Sequence, residues 1–299
     1  VGPSSPLAVE TGLNPTVPAS GGSLLRVERA LPGPTRFRRG SAIVERTHMN
    51  VVDALDAAEG TTCLVGAGGK KTTLYALAAR LDRAVLTATV RIPIFDRQVA
   101  AVRTAEDPVS ELAAVHEASR ESDETAPFPL GLVPERERDD RYRGYDPETV
   151  DRLSTAHDGP VLVKADGART RLLKAPNDRE PQVPAGADTV VPVASAHAVG
   201  EPLSEAVVHR PERVAELAAD VELGDEITPE LVGRVVAHGE GGLKGVPADA
   251  TAIPLVNMVD DEADEAIARD VAAAIHEHAD VPRVVLARMR EPAVVAVVE

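Results

Sequence analysis

The chain has 299 residues, enough for one large domain or two small ones, and its 48 acidic residues against 32 basic ones give a net charge of −16. That field repels phosphate backbones, and with aromatics at 2% and no Trp there is no platform for stacked bases, so a nucleic-acid partner is disfavoured. The single cysteine, Cys63, excludes an intrachain disulfide and a multi-cysteine zinc site. No apolar run approaches the ~20 residues of a membrane span, and the amino end lacks a signal peptide's order of charge, apolar run and cleavage site. The expectation is a soluble cytoplasmic protein with no membrane contact. Lysine is scarce: Lys70, Lys71, Lys164, Lys174 and Lys244 are the whole set, and arginine supplies the other cations. An acidic, Lys-poor, Ala- and Val-rich surface suits a high-salt cytoplasm. A chain that uses Arg for its surface cations keeps Lys where a compact ammonium is needed.

Residues 1–48 are rich in Pro, Gly, Ser and Arg and show no sustained period of 2 or 3.6. Such a segment cannot bury enough apolar surface to offset its ordering entropy. The first methionine, Met49, stands directly before the first patterned stretch, Val51 to Ala58. Residues 1–48 are therefore expected to be a disordered extension or an over-extended reading frame, and residues 49–299 one α/β domain.

From Thr61 the pattern alternates. TCLVG (62–66) predicts a buried strand, TTLYALAARL a helix and AVLTATV (84–90) a second strand. Further buried strands are predicted at 129–133, 160–165, 188–194, 251–257, 283–288 and 293–298. Helices are predicted at 147–154, 211–219, 229–238 and 261–278, the first three of them opening on Pro. Asp146 and Thr228 stand where they can cap their helices. The acidic stretch Glu106 to Glu124 reads as a solvated helix. The fold class implied is α/β, a doubly wound and mostly parallel sheet with a phosphate-loop-like nucleotide site.

Gly66-Ala67-Gly68-Gly69-Lys70-Lys71-Thr72-Thr73 joins a predicted strand to a predicted helix. Glycines let backbone amides approach phosphate oxygens, the helix terminus adds partial positive charge, and Lys neutralises the outer phosphates. The spacing matches the short Gly-x-x-Gly-Lys-Thr-Thr loop of the Mur ligase type, with Lys71 in place of its first Thr. Either Thr72 takes over the magnesium-ligating role of that hydroxyl, or Lys71 is the phosphate lysine with Thr72 following in register. Downstream, the strand 161–164 leads to Asp166-Gly167, where an Asp of nucleoside triphosphatases holds magnesium or its water. Asn257-Met258-Val259-Asp260 resembles the guanine-reading Asn-Lys-x-Asp of GTPases, in which the Asp accepts two hydrogen bonds from guanine. An Asp-Gly turn and a helix cap are the ordinary readings of these two segments alone. Loop, acid and base reader in that order reinforce one another.

Together these residues resemble the YqeC family, the accessory proteins of selenium-dependent molybdenum hydroxylases. The likeness runs from about Thr61 to about Asp260. It rests on the GAGGK loop, VKADGARTRLLKAP (163–176), Glu180-Pro181-Gln182-Val183-Pro184, His209-Arg210-Pro211, Gly242-Leu243-Lys244-Gly245 and the strand ending in Asn257. Lys71, Lys164 and Met258 depart from the family pattern, replacing Thr, Glu and Lys. Lys164 either substitutes for some of the metal's charge or points away from the site. The loop, the strand-end acid and the Asn257 to Asp260 segment are read as a site for a nucleoside triphosphate, GTP or ATP with GTP favoured, held with Mg2+. Gly66, Gly68, Gly69, Lys70, Lys71, Thr72 and Thr73 would hold phosphates, Thr72 and Asp166 the magnesium, and Asn257 and Asp260 the base. Lys70 and Asp166 would serve any hydrolysis. The implied partner is a molybdenum hydroxylase or its cofactor-maturation proteins, with delivery or insertion of selenium or molybdenum cofactor as the task. A small-molecule kinase or ATP-dependent ligase and a non-hydrolysing nucleotide-gated chaperone are the rival readings. Arg169, Arg171 and Lys174 are expected to contact phosphate or an acidic cofactor, and Arg210 an anion.

Overall fold

The computed structural model describes residues 49–122, 126–218 and 220–299 together with Gly2. The expectation for residues 1–48 lies, Gly2 apart, outside the described residues. The elements below belong to one unit, Ile43–Glu299, distinct from Val1–Ala42. Its first half runs α1 (Val51–Ala54), β1 (Thr61–Gly66), α2 (Lys70–Ala78), β2 (Val85–Ala88), β3 (Ile92–Pro93), β4 (Ala101–Thr104), α3 (Pro108–Ser122), β5 (Leu130–Val133), β6 (Arg141–Tyr142), α4 (Pro147–Ala156) and β7 (Val161–Lys164). The second half adds β8 (Leu173–Lys174), β9 (Thr189–Ser195), β10 (Val208–His209), α5 (Pro211–Leu217), α6 (Pro229–Ala237), β11 (Thr251–Ala252), β12 (Leu255–Asn257), α7 (Glu262–His278), β13 (Val284–Arg288) and β14 (Ala293–Val298).

A ten-stranded sheet carries the fold in the order β14-β13-β12-β9-β1-β7-β2-β5-β4, with β11 also paired to β9. Every pairing in it is parallel except β13 with β14. The central strands β1, β7 and β9 are apolar along almost their whole length because both of their faces are covered. Leu64, Leu162 and Val191 point to the face under α1 and α2, while Cys63, Val163 and Val190 point to the face under α3 and α4. Val256, Val284 and Leu286 meet α6 and α7 on that second face. The doubly wound, mostly parallel sheet expected from the sequence is thus the architecture observed. From β1 the chain passes to β2 and the edge strand β4, returns through β5 to β7 between β1 and β2, and only then crosses to the other side of β1 through β9, β12 and β13. The strand order therefore reverses beside β1, where open α/β sheets form a ligand crevice at the carboxyl ends of their strands.

Three local features refine the sequence reading. The predicted strand 251–257 is divided, because Pro254 has no N–H for the ladder and the chain resumes pairing with β9 only at Leu255. Within the stretch expected to be a solvated helix, Pro108–Ser122 form α3, but Leu112 and Val115 are buried in the core, so the helix is amphipathic and not merely solvated. Thr228 caps α6 by accepting from the Leu231 N–H at 3.1 Å, whereas the Asp146 side chain makes no capping bond. Among the described residues no helix is long and apolar enough to cross a membrane.

Candidate functional site

The β1–α2 loop is shaped by its glycines. Gly66, Gly68 and Gly69 all have positive φ, at 86°, 80° and 133°. A Cβ on Gly66 would run into the Val193 carbonyl of β9, and one on Gly68 would lie 2.6 Å from the Ser195 nitrogen. The loop is therefore pressed against β9, with Ala67 N–H donating to the Val193 carbonyl at 2.8 Å and Gly68 N–H to the Arg171 carbonyl at 2.9 Å. These amides face the protein. The N–H groups open to a ligand are those of the first turn of α2, at Lys70, Lys71 and Thr72, which have no intrahelical acceptor and whose N-cap, Gly69, offers no side chain.

Beneath the loop lies a buried charge cluster. Lys70, 5% exposed, donates to the Gly66 carbonyl and pairs with Asp166 Oδ1 at 2.9 Å. Asp166, 1% exposed, accepts from the Gly66 N–H at 2.8 Å and meets Lys174 at 2.8 Å through Oδ2. Lys174 in turn pairs with Glu180 at 2.8 Å, and Glu180 with Arg210 at 3.0 Å. Burial alone would raise the Asp166 carboxyl, but Lys70 and Lys174 outweigh it and hold it below the ordinary range. Burial lowers Lys70 against the pull of Asp166, and Lys174 holds Glu180 down against burial.

Above this cluster a cleft of about 900 Å³ opens at the carboxyl edge of the sheet. Lys70, Lys71, Thr72 and Lys164 line it from the strand ends and α2. Arg91, Arg138 and Arg141 line it from the β2–β3 and β6 segments, and Arg169, Arg171, Arg179 and Arg210 from the loops flanking β8 and β10. Among the described lining residues Glu180 is the one carboxylate. Burial, then the neighbouring Lys70 cation, pulls Lys164 down to about 7, and burial with Arg210 pulls His209 down to about 4. In a chain with a large negative net charge this cleft is lined by ten Lys and Arg side chains, a shape and field suited to a multiply charged anion.

The structure brings most of the sequence's site residues to this edge. Thr72 is exposed at the cleft, while Thr73 is buried behind it with its hydroxyl donating to the Gly69 carbonyl at 3.2 Å. Asn257 is 3% exposed and clamps the loop, donating to the Gly68 carbonyl at 2.8 Å and accepting from the Met289 N–H at 3.0 Å. It does not cap α7; Asp261 does, accepting from the Asp264 N–H at 2.9 Å. Met258 lines the cleft, but Asp260 is outside its lining and faces His197 at 3.6 Å, which also meets Asp264 at 3.2 Å. Arg169 and Arg171 line the cleft as expected, but Lys174 is a buried ion-pair partner of Asp166 and Glu180 and not a surface contact. Sequence reasoning passed over Glu180, quoted only as part of a Pro motif, and Arg91, Arg138 and Arg141. Their one sequence signal is their charge.

Fold and site together define a doubly wound α/β protein with a cationic cleft over a glycine-rich strand-to-helix loop. The YqeC protein family model matches residues 62–212, and the chain belongs to the YqeC family. It is similar to the uncharacterized protein YqeC of Escherichia coli strain K12, at 28% identity over 243 residues that span 78% of this chain and 89% of that one. No solved structure matches the chain. The family match spans the loop, Asp166, Glu180 and Arg210, and ends before Asn257 and Asp260.

Proposed function

We propose that this chain binds a nucleoside triphosphate in the cationic cleft and acts in the maturation of selenium-dependent molybdenum hydroxylases, in delivering or inserting selenium or the molybdenum cofactor. The observation that carries the binding reading is the convergence of unpaired first-turn amides of α2 with a cleft whose described charged lining residues are, Glu180 apart, all cations, in an acidic chain. Membership of the YqeC family supports the maturation role. Phosphates would lie over Lys70, Lys71 and Thr72, with Gly66, Gly68 and Gly69 shaping the loop. Of the residues assigned to magnesium, the exposed Thr72 hydroxyl fits a metal held by the phosphates. Asp166 does not fit direct ligation, because its oxygens already face Lys70, Lys174 and the Gly66 N–H. Magnesium would supply charge neutralisation for the phosphates; the resident lysines supply it from below.

Titration of a fluorescent triphosphate tests the reading. Lys70→Ala is expected to weaken binding by about 1.5–3 kcal/mol, the scale of a charge-assisted hydrogen bond, and Lys71→Ala by less. The reverse order would make Lys71 the phosphate lysine, and no binding by the wild type would overturn the proposal. Competition between GTP and ATP belongs in the same titration. Base reading by Asp260 expects GTP to win and Asp260→Asn to remove that advantage; equal competition leaves the base unread. For the maturation role, deleting the gene is expected to lower molybdenum hydroxylase activity while the hydroxylase polypeptide persists, and unchanged activity would refute it.

A further inference from the structure

Lys164 ends β7, in register with Leu64 of β1 and with Ala88 at the end of β2, so it stands at the carboxyl end of a strand flanked on both sides. It is 6% exposed and lines the cleft. Its ammonium donates to one acceptor, the Arg91 carbonyl, at 2.8 Å, and among the described residues it has no ion-pair partner. The two other buried lysines of the site share Asp166, and Lys174 has Glu180 as well. A buried cation is costly to keep without a counter-charge, and the fold provides carboxylates for its neighbours but none for this one. Arg138, on the same cleft, also has no ion-pair partner among the described residues, whereas Arg91 is taken up by Glu137. The cleft, at about 900 Å³, is near the upper end of the roughly 300–1,000 Å³ that hold one compact ligand.

We propose that Lys164 is the floor of a second anion subsite beside the nucleotide's phosphates, which takes the phosphate-like oxyanion of a second substrate. A lysine ammonium is a compact point charge with three donors; Arg91 uses one, leaving two for a tetrahedral oxyanion approaching through the cleft. A planar carboxylate would be better served by an arginine fork. The position of the subsite next to a nucleotide rests on the proposed function; the anion site on Lys164 does not.

The probe is inorganic phosphate, followed by calorimetry at low salt, with and without saturating GDP or ADP. The wild type is expected to bind phosphate with the diphosphate in place. Lys164→Met should weaken phosphate binding about tenfold or more while diphosphate affinity stays within about threefold, and Lys164→Arg should retain part of the phosphate binding. Removing an unpaired buried charge should leave the melting temperature unchanged or raise it, so a folding defect is not the expected cause of lost binding. Phosphate binding unaffected by Lys164→Met, exclusion of phosphate by the diphosphate, or equal losses of phosphate and diphosphate in Lys164→Met would overturn the second subsite. Should the wild type bind no nucleotide at all, the nucleotide reading fails by itself. Phosphate binding lost in Lys164→Met but kept in Lys70→Met then upholds the anion site.

Discussion

Asp166→Ala is expected to lower folding stability by about 3–5 kcal/mol, the usual result of removing one partner from a buried ion pair. The carboxylate meets Lys70 at 2.9 Å and Lys174 at 2.8 Å, and both lysines are buried, so the substitution leaves two ammonium groups out of water with Glu180 as the remaining carboxylate. It also removes the acceptor of the Gly66 N–H, which begins the loop. Urea denaturation measures the effect, and a loss below about 1 kcal/mol would show that the cluster relaxes or admits water. Adding Lys174→Met to Asp166→Ala should recover part of the loss, because one stranded cation disappears, whereas independent sites would give additive losses. The sign of the pH dependence follows from the depressed carboxyl. The contribution of Asp166 is fully present above the ordinary carboxylate pKa and is lost as pH falls through its lower folded value.

Gly66→Ala is expected to be nearly as damaging and to abolish anion binding at the cleft. Its φ of 86° costs an L-residue about 1–2 kcal/mol, and the added methyl group meets the Val193 backbone carbonyl, which belongs to a central strand and cannot move aside. Overpacking of this kind costs a further 1–3 kcal/mol or so. Gly200→Ala is the internal comparison: its φ is 84°, but a Cβ there meets nothing within 4 Å, so only the backbone term should appear. Equal stability losses for the two variants would mean that the loop is not held against β9. Stability loss in Gly66→Ala with anion binding intact would mean that the loop geometry does not serve the cleft.

Much of the architecture was written in local pattern. Apolar runs at β1, β7 and β9 predict strands buried on both faces, and that alone requires helices on both sides of a parallel sheet. Glycines followed by Lys70 and Lys71 mark the turn from strand to helix, since only glycine tolerates the φ values found there. The scarcity of lysine was informative as well: Lys70, Lys71 and Lys164 line the cleft and Lys174 sits beneath it. What the tertiary structure decided was the partner of each of those charges. Asp166 reads as a metal ligand because it follows a strand, yet strand β7 lies beside β1, and that neighbourhood hands its oxygens to Lys70 and the Gly66 N–H across the sheet. Asn257 is separated by 189 positions from the loop carbonyl that it holds, and Lys164 is left without a carboxylate only because the acids near it are taken by other cations. Strand and turn patterns repeat within a few residues and can be read along the chain. Charge pairing depends on which strands lie side by side, and that order is set by packing across the whole sheet.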